Sequence, residues 1–246
     1  RNPDESYSVG DFQKDVDIII KKSYEIDKVP VLCGGTMMYF NSFENPLDNL
    51  PVSTSLTRKK VNDELRELGI KFLFKKLQKI DSISSEKINC NDSQRILRAL
   101  EVYYISGKPL SSFYKDKIKS NLPGKVLKLA LFPSRREELH KIIKLRTESM
   151  ITSGLVDEVE NILKKYPDLN ETYPSIKSVG YRQTYHYLKN KISKKELNER
   201  IIFATRQLAK RQITWMRKME NLDRFEPYSK DLNFKVKSRV EEFLLN

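Results

Sequence analysis

Between Val29 and Thr36 the chain reads Val-Pro-Val-Leu-Cys-Gly-Gly-Thr, a short apolar run stopped by two glycines. A run of that length without polar alternation predicts a strand buried on both faces, as in parallel sheets. Before it, Val9, Phe12, Val16, Ile19, Ile20 and Tyr24 recur at helical spacing; after it, Met37–Phe43 looks like the start of another helix. Helix, strand, Gly-rich turn, helix is an α/β signature, and ligands of such folds gather at the carboxyl ends of strands. Amides of Gly34-Gly35-Thr36 could approach a phosphate or a base, with the Thr36 hydroxyl donating or accepting. By itself, such a sequence is more often only a turn.

The next stretch changes character. Residues 55–118 hold helical patterns and no convincing strand. One helix carries Leu56, Val61, Leu65 and Leu68 and stops at Gly69, and a second covers about 70–80. A third starts behind Asp92 as N-cap and runs through Ile96, Leu97, Leu100 and Tyr104 to Gly107. Lys125–Phe132 is a second candidate strand, and Ser134 with Glu137 predicts a capping box opening a helix that ends at Gly154. A helix over Leu155–Tyr166 follows. Ser193 with Glu196 predicts another box, launching a long helix that ends before a loop near Pro227; residues 228–246 predict a last short helix.

Charge adds a functional constraint. The net charge is +13, yet the first fifty residues carry five basic and nine acidic side chains, so the remainder carries +17. Such a surplus fits a polyanionic partner about as well as it fits a Lys-rich solvated surface. Cys33 and Cys90 are too few for a disulfide framework and lack metal-ligand spacing, which predicts a reducing, cytoplasmic setting. No apolar stretch is long enough for a membrane span, and no signal peptide is present.

Residues 200–218 contain six cations, Arg200, Arg206, Lys210, Arg211, Arg217 and Lys218, and no acid. On a helical wheel these cations share one arc, while Ile201, Ile202, Ala204, Leu208, Ala209, Ile213, Trp215 and Met216 occupy the other as a core face. Solvated faces usually alternate Lys with Glu, so this stripe asks for an anion such as a phosphate backbone or a diphosphate. Arg146 on its own reads as a surface residue. His140 and His186 have no second metal ligand at useful spacing and read as structural. Tyr181, Tyr185 and Tyr187 could stack bases, although such spacing is usually core.

Five strings in order, PVLCGGTMMYF, NDSQRILRALEVYYISGKPLS, SGLVDEV, PSIKSVGYRQ and ATRQLAKRQITWMRK, closely resemble the bacterial tRNA dimethylallyltransferases, or tRNA isopentenyltransferases. The resemblance runs from Arg1 to about Pro227. It implies an α/β fold: a P-loop NTPase-like parallel-sheet core (residues 1–46 and 123–246) with an all-helical insertion domain (residues 47–122) gripping the anticodon stem-loop. The implied reaction moves a dimethylallyl group from dimethylallyl diphosphate to N6 of adenosine 37 in tRNA, with Mg²⁺. It requires an anchored diphosphate leaving group, a base for the amine proton and an extruded adenine. By the same resemblance, Arg146 and Arg206 would hold the diphosphate, and Thr36 would contact the target nucleotide, giving Arg146 and Thr36 the catalytic roles. Arg58 and the run Gln94, Arg95, Ile96, Leu97 and Arg98 would touch tRNA from the insertion. Lys177, Ser178, Val179, Gly180, Tyr181 and Arg182 would line the tRNA-facing edge of the core, together with Lys210, Arg211, Gln212, Ile213, Thr214, Trp215, Met216 and Arg217. A monomer is expected.

One departure stands out. Family members open with a Gly-rich loop ending in Gly-Lys-Ser/Thr, followed by an Asp-Ser segment whose Asp serves as base. Neither is present, and the chain begins about seventy residues into the family pattern. These 246 residues alone are therefore expected to lack both base and diphosphate cradle, and with them turnover. Two readings compete with the prenyltransferase: a non-catalytic tRNA-binding module, and a nucleotide or small-molecule kinase, which would not need the +17.

Overall fold

A computed structural model describes residues 1–44, 50–114 and 124–245, excluding the Glu44 side chain. The chain divides into two compact units, Arg1–Phe40 with Pro123–Asn246, and Asn41–Leu122.

In the first unit, α1 (Val9–Glu25) starts from a reciprocal cap between Ser8 and Asp11 and buries Val16 and Ile20. The helix α2 (Met37–Glu44) leads out of this unit and is pinned to α1 by aromatic contacts. Tyr39 stacks on Phe12 at 4.5 Å between centroids and meets Tyr7 edge-on. The sheet has two parallel strands, β1 (Lys128–Leu131) and β2 (Leu222–Phe225), with Lys128 opposite Leu222 and Leu131 opposite Phe225. Residues 29–33 do not form the strand their composition predicts. Val29 is 62% and Val31 83% exposed. A strand exists only by its ladder, and among the described residues nothing pairs with this segment. By contrast β2, where the sequence predicts no strand, finds its partner in β1.

Behind β1 come α6 (Arg136–Thr152) and α7 (Leu155–Lys165), separated by Gly154 at φ 99°. The capping box expected from Ser134 and Glu137 is not formed. The helix starts at Arg136 without a side-chain cap, and the Ser134 amide donates to Glu226 at 2.8 Å. The carboxylate just after β2 thus captures the loop just after β1. A short α8 (Tyr181–Leu188) precedes α9 (Lys194–Lys218), whose Ser193–Glu196 capping box forms as the sequence predicts. Leu155, Val159, Ile192, Leu197 and Ile201 make one core cluster, and Leu169, Ile176 and Tyr185 a second. The last helix, α10 (Leu232–Leu245), is tied to β2 by Arg239, whose Nε lies 2.6 Å from Asp223.

The regular elements among the described residues of the second unit are all helical: α3 (Ser55–Ile80), α4 (Ser82–Lys87), α5 (Ser93–Ser106) and a short 3-10 turn, Leu110–Tyr114. Gly69 at φ 75°, ψ 164° breaks α3 into two helices. The angle between them is fixed from outside the glycine. Val61 from the first half, Leu73 and Leu77 from the second, and Ile96, Ala99, Leu100 and Val102 from α5 form one buried core. A polar bridge spans the same break. Glu64 accepts from Lys76 (3.1 Å) and from the Tyr104 hydroxyl (2.7 Å), while Lys60 and Lys76 both lie over the Tyr104 ring. The hydrogen bonds and lysine charges hold the Glu64 carboxyl below its usual range, overcoming the opposing effect of burial, the largest single influence. Asp92 caps α5 and Gly107 ends it in the left-handed region, as predicted.

Candidate tRNA-binding site

The glycine turn and the basic helix, far apart in sequence, meet in the fold. The Gln212 side-chain amide of α9 donates to the Gly35 carbonyl at 2.9 Å. A Cβ on residue 35 would overlap the Gln212 amide nitrogen, so a larger residue there would have to push the Gln212 side chain off this carbonyl. Thr36 follows, its carbonyl accepting from Tyr39 at the first turn of α2. Its exposed hydroxyl has no partner among the described residues.

Along α9 the wheel holds only in part. Leu197, Ile201 and Met216 are buried, but Leu208 and Trp215, assigned by the wheel to the core, are 36% and 39% exposed. The helix packs on α6 and α8, which cover a narrower arc than the apolar stripe presents. Of the six cations, Arg200 is paired with Glu196 at 2.9 Å, one turn back. Lys210, Arg211, Arg217 and Lys218 are exposed and have no acidic partner among the described residues. The last two sit where the helix dipole favours positive charge; Lys210 and Arg211 lack that compensation. The carboxyl end of α9 is closed by Arg224 of β2, which donates to the Met216 carbonyl at 3.1 Å. Thr214 is exposed and bonds back to the Lys210 carbonyl.

A hollow of about 200 Å³ opens beside Gln212, at the carboxyl ends of both strands. Leu131 and Pro133 after β1, Pro227 and Tyr228 after β2, and Ile213 of α9 are among its walls. This is where an α/β sheet offers a ligand site.

Arg146 is exposed on α6, with no partner among the described residues. Arg206 is half-buried, and its Nε is shielded from solvent without an acceptor. It belongs to a positive cluster missing from the sequence reading: Arg136 Nε lies 3.5 Å from His140 Nε2, and desolvation, then Arg206 and Arg136, push the His140 pKa down. Only the two arginines, on α6 and α9, could have signalled this cluster in sequence, and their proximity depends on the helix packing.

Within 177–182, Lys177, Ser178 and Arg182 are exposed, Val179 is half-buried and Gly180 is buried. Gly180 adopts φ 95° and donates to Gln183 at 2.9 Å, starting α8. Tyr181 is engaged internally: its hydroxyl donates to Glu158, and burial, then that carboxylate, push its pKa up to about 12.

In the helical unit, Arg58 is exposed on the first turns of α3, behind the Thr54 cap, with no acidic partner among the described residues. Gln94 and Arg95 are exposed, Ile96 is fully buried and Leu97 half-buried. Arg95 makes only a surface pair with Asp92 at 3.3 Å. Arg98 points into the unit, donating to the Pro51 carbonyl at 2.9 Å and to Ser53. Among the described residues no group of three or more His, Cys, Asp or Glu could hold a metal ion. No helix among them is long and apolar enough to cross a membrane.

The model of the IPP transferase family matches residues 1–219. A tRNA dimethylallyltransferase of Nitrosomonas eutropha is 42% identical over 225 residues, covering 92% of this chain and 71% of the relative. The crystal structure of a tRNA isopentenylpyrophosphate transferase from Bacillus halodurans superposes with a TM-score of 0.63 at 26% identity, covering 100% of this chain and 75% of that one. A eukaryotic dimethylallyltransferase described as acting on tRNA gives a TM-score of 0.76 at 25% identity, covering 98% of this chain and 63% of that one. These neighbours share the α/β, P-loop-like fold class, and the chain belongs to the IPP transferase family.

Proposed function

We propose that this chain works in a tRNA dimethylallyltransferase, supplying the surface that holds the anticodon stem-loop while N6 of adenosine 37 is prenylated. The observation that carries the proposal is the joining of Gly35, next to Thr36, to Gln212 on a helix whose exposed Lys210, Arg211, Arg217 and Lys218 have no acidic partner among the described residues. Lys210, Arg211 and Arg217 bind the loop backbone, with Lys177 and Arg182 as further contacts. Arg58 and Arg95 do the same from the helical unit. Thr36 contacts the target nucleotide.

The chemistry assigns other groups. N6 attacks the allylic carbon, the carbon–oxygen bond to diphosphate breaks, and the amine proton passes to a base. Arg146 and Arg206 neutralise the charge gathering on the departing diphosphate. By the resemblance, the base is an Asp in a segment these 246 residues do not contain. Mg²⁺ has no ligand cluster among the described residues, so no step is assigned to it.

The test is binding of an anticodon stem-loop carrying an A-A-A run, across a salt series. Affinity should fall steeply with salt, by about 0.7–0.9 log units per log unit of salt for each phosphate neutralised. An acceptor-stem hairpin bound equally well, or salt-independent binding, would refute the assignment. Supplying ahead of residue 1 a leading segment with the Gly-Lys-Ser/Thr loop and Asp-Ser pair that the resemblance implies should yield prenylated adenosine 37 by nucleoside mass spectrometry.

A further inference from the structure

The run 94–98 combines two kinds of arginine. The Arg95 side chain is 69% exposed and shares one surface pair. The Arg98 side chain is 36% exposed and meets three acceptors: the Pro51 carbonyl at 2.9 Å, the Ser53 hydroxyl, and Glu101 at 3.5 Å. Glu101, only 13% exposed, also accepts from Ser53. The Arg98 charge is therefore already balanced in a partly desolvated pair, and its donors serve the protein itself.

Two of those acceptors, Pro51 and Ser53, lie in the segment that starts α3, and Glu101 lies on α5 itself. Residues 50–54 have no regular structure and end at Thr54, whose side chain accepts the Thr57 amide at 3.1 Å and whose carbonyl accepts the Arg58 amide at 3.0 Å. A planar guanidinium bridging Pro51 and Ser53 fixes this irregular segment against α5. It thereby fixes the cap, and with it the first turn carrying Arg58.

We propose that Arg98 is a positioning residue, which orients Arg58 for RNA by clamping residues 51–53, rather than a phosphate ligand. This rests on the reading of Arg58 as an RNA contact. Lysine keeps the charge but cannot bridge two acceptors in one plane, so charge and clamp separate experimentally.

In stem-loop titrations, Arg98→Ala should weaken binding about tenfold and, because the disoriented Arg58 loses its phosphate, lower the salt slope by about 0.7 as Arg58→Ala does, with no further loss in the double variant. Arg98→Lys should resemble Arg98→Ala. Arg95→Ala, which removes a direct contact, should lower the slope by about 0.7. Hydrogen exchange in the free chain should show faster exchange of the Thr57 and Arg58 amides in both Arg98 variants. The proposal is overturned if Arg98→Lys behaves as wild type while Arg98→Ala lowers the slope, or if the losses of Arg98→Ala and Arg58→Ala add in the double variant. It is equally overturned if exchange at Thr57 and Arg58 does not change. Failure of the wild-type chain to bind any stem-loop would reject the tRNA reading, and the exchange result would still decide whether Arg98 holds the segment.

Discussion

The basic helix α9 and the arginine-bearing start of α5 look alike in sequence and differ in the fold. On α9, Lys210 and Arg211 project without acidic partners among the described residues. On α5, Arg98 is enclosed by Ser53, Glu101 and a backbone carbonyl. A positive side chain with its counter-charge inside the protein has little left for a ligand. One without it carries a charge that salt or a phosphate must balance. Net charge locates neither; the pairing does.

The sharpest challenge to this contrast is reversal of the free cations. Lys210→Glu with Arg211→Glu should reduce stem-loop affinity on the order of a hundredfold at low salt, with little change in thermal stability. Arg200→Glu, at a cation already paired with Glu196, should cost far less. Equal losses would abolish the distinction between free and paired charge.

Removing the acids probes it from the other side. Glu101→Gln leaves the Arg98 charge partly buried and unbalanced, and should cost about 2 kcal/mol in urea unfolding. Glu196→Gln on α9 keeps a capping side chain and loses only an exposed pair, so it should cost clearly less in the same assay. Next in size is Gln212→Ala, which removes one tie to the glycine turn and should cost about 1 kcal/mol in the same assay.

The smallest effect concerns an exposed acid held by cations. Hydrogen bonds from Lys191, then His186, keep the Glu171 carboxyl at about 2. Because its folded pKa is depressed, its stabilisation is present above the ordinary glutamate range and is lost as pH falls towards about 2. Carboxyl NMR should place its titration there and, in Lys191→Ala, return it towards the ordinary range. No upward movement would mean that the cation does not set it.

What the sequence disclosed follows the range of the forces involved. The ends of α5 and the start of α9 were legible because Asp92, Gly107, Ser193 and Glu196 act within one turn of themselves. The strand at 29–33 was misread, and β2 missed, because a ladder depends on a partner far along the chain. The α9 wheel gave the apolar arc but not how much of it α6 and α8 cover, so Trp215 and Leu208 came out exposed. The glycine turn, the basic helix and Arg146 were visible as candidates. That Gln212 joins the first two, or that Arg98 looks inward to a segment more than forty residues away, was not.

The glycine at position 69 bears on how the helical unit melts. A single rod over α3 could persist alone, whereas halves of at most roughly 14 residues are marginal as isolated helices in water. Neither half has its own reserve of order, so each borrows it from α5 through Val61, Leu73 and Leu77. Loss of α5 docking should therefore release both halves together, and the unit should unfold in one step with no surviving helical remnant.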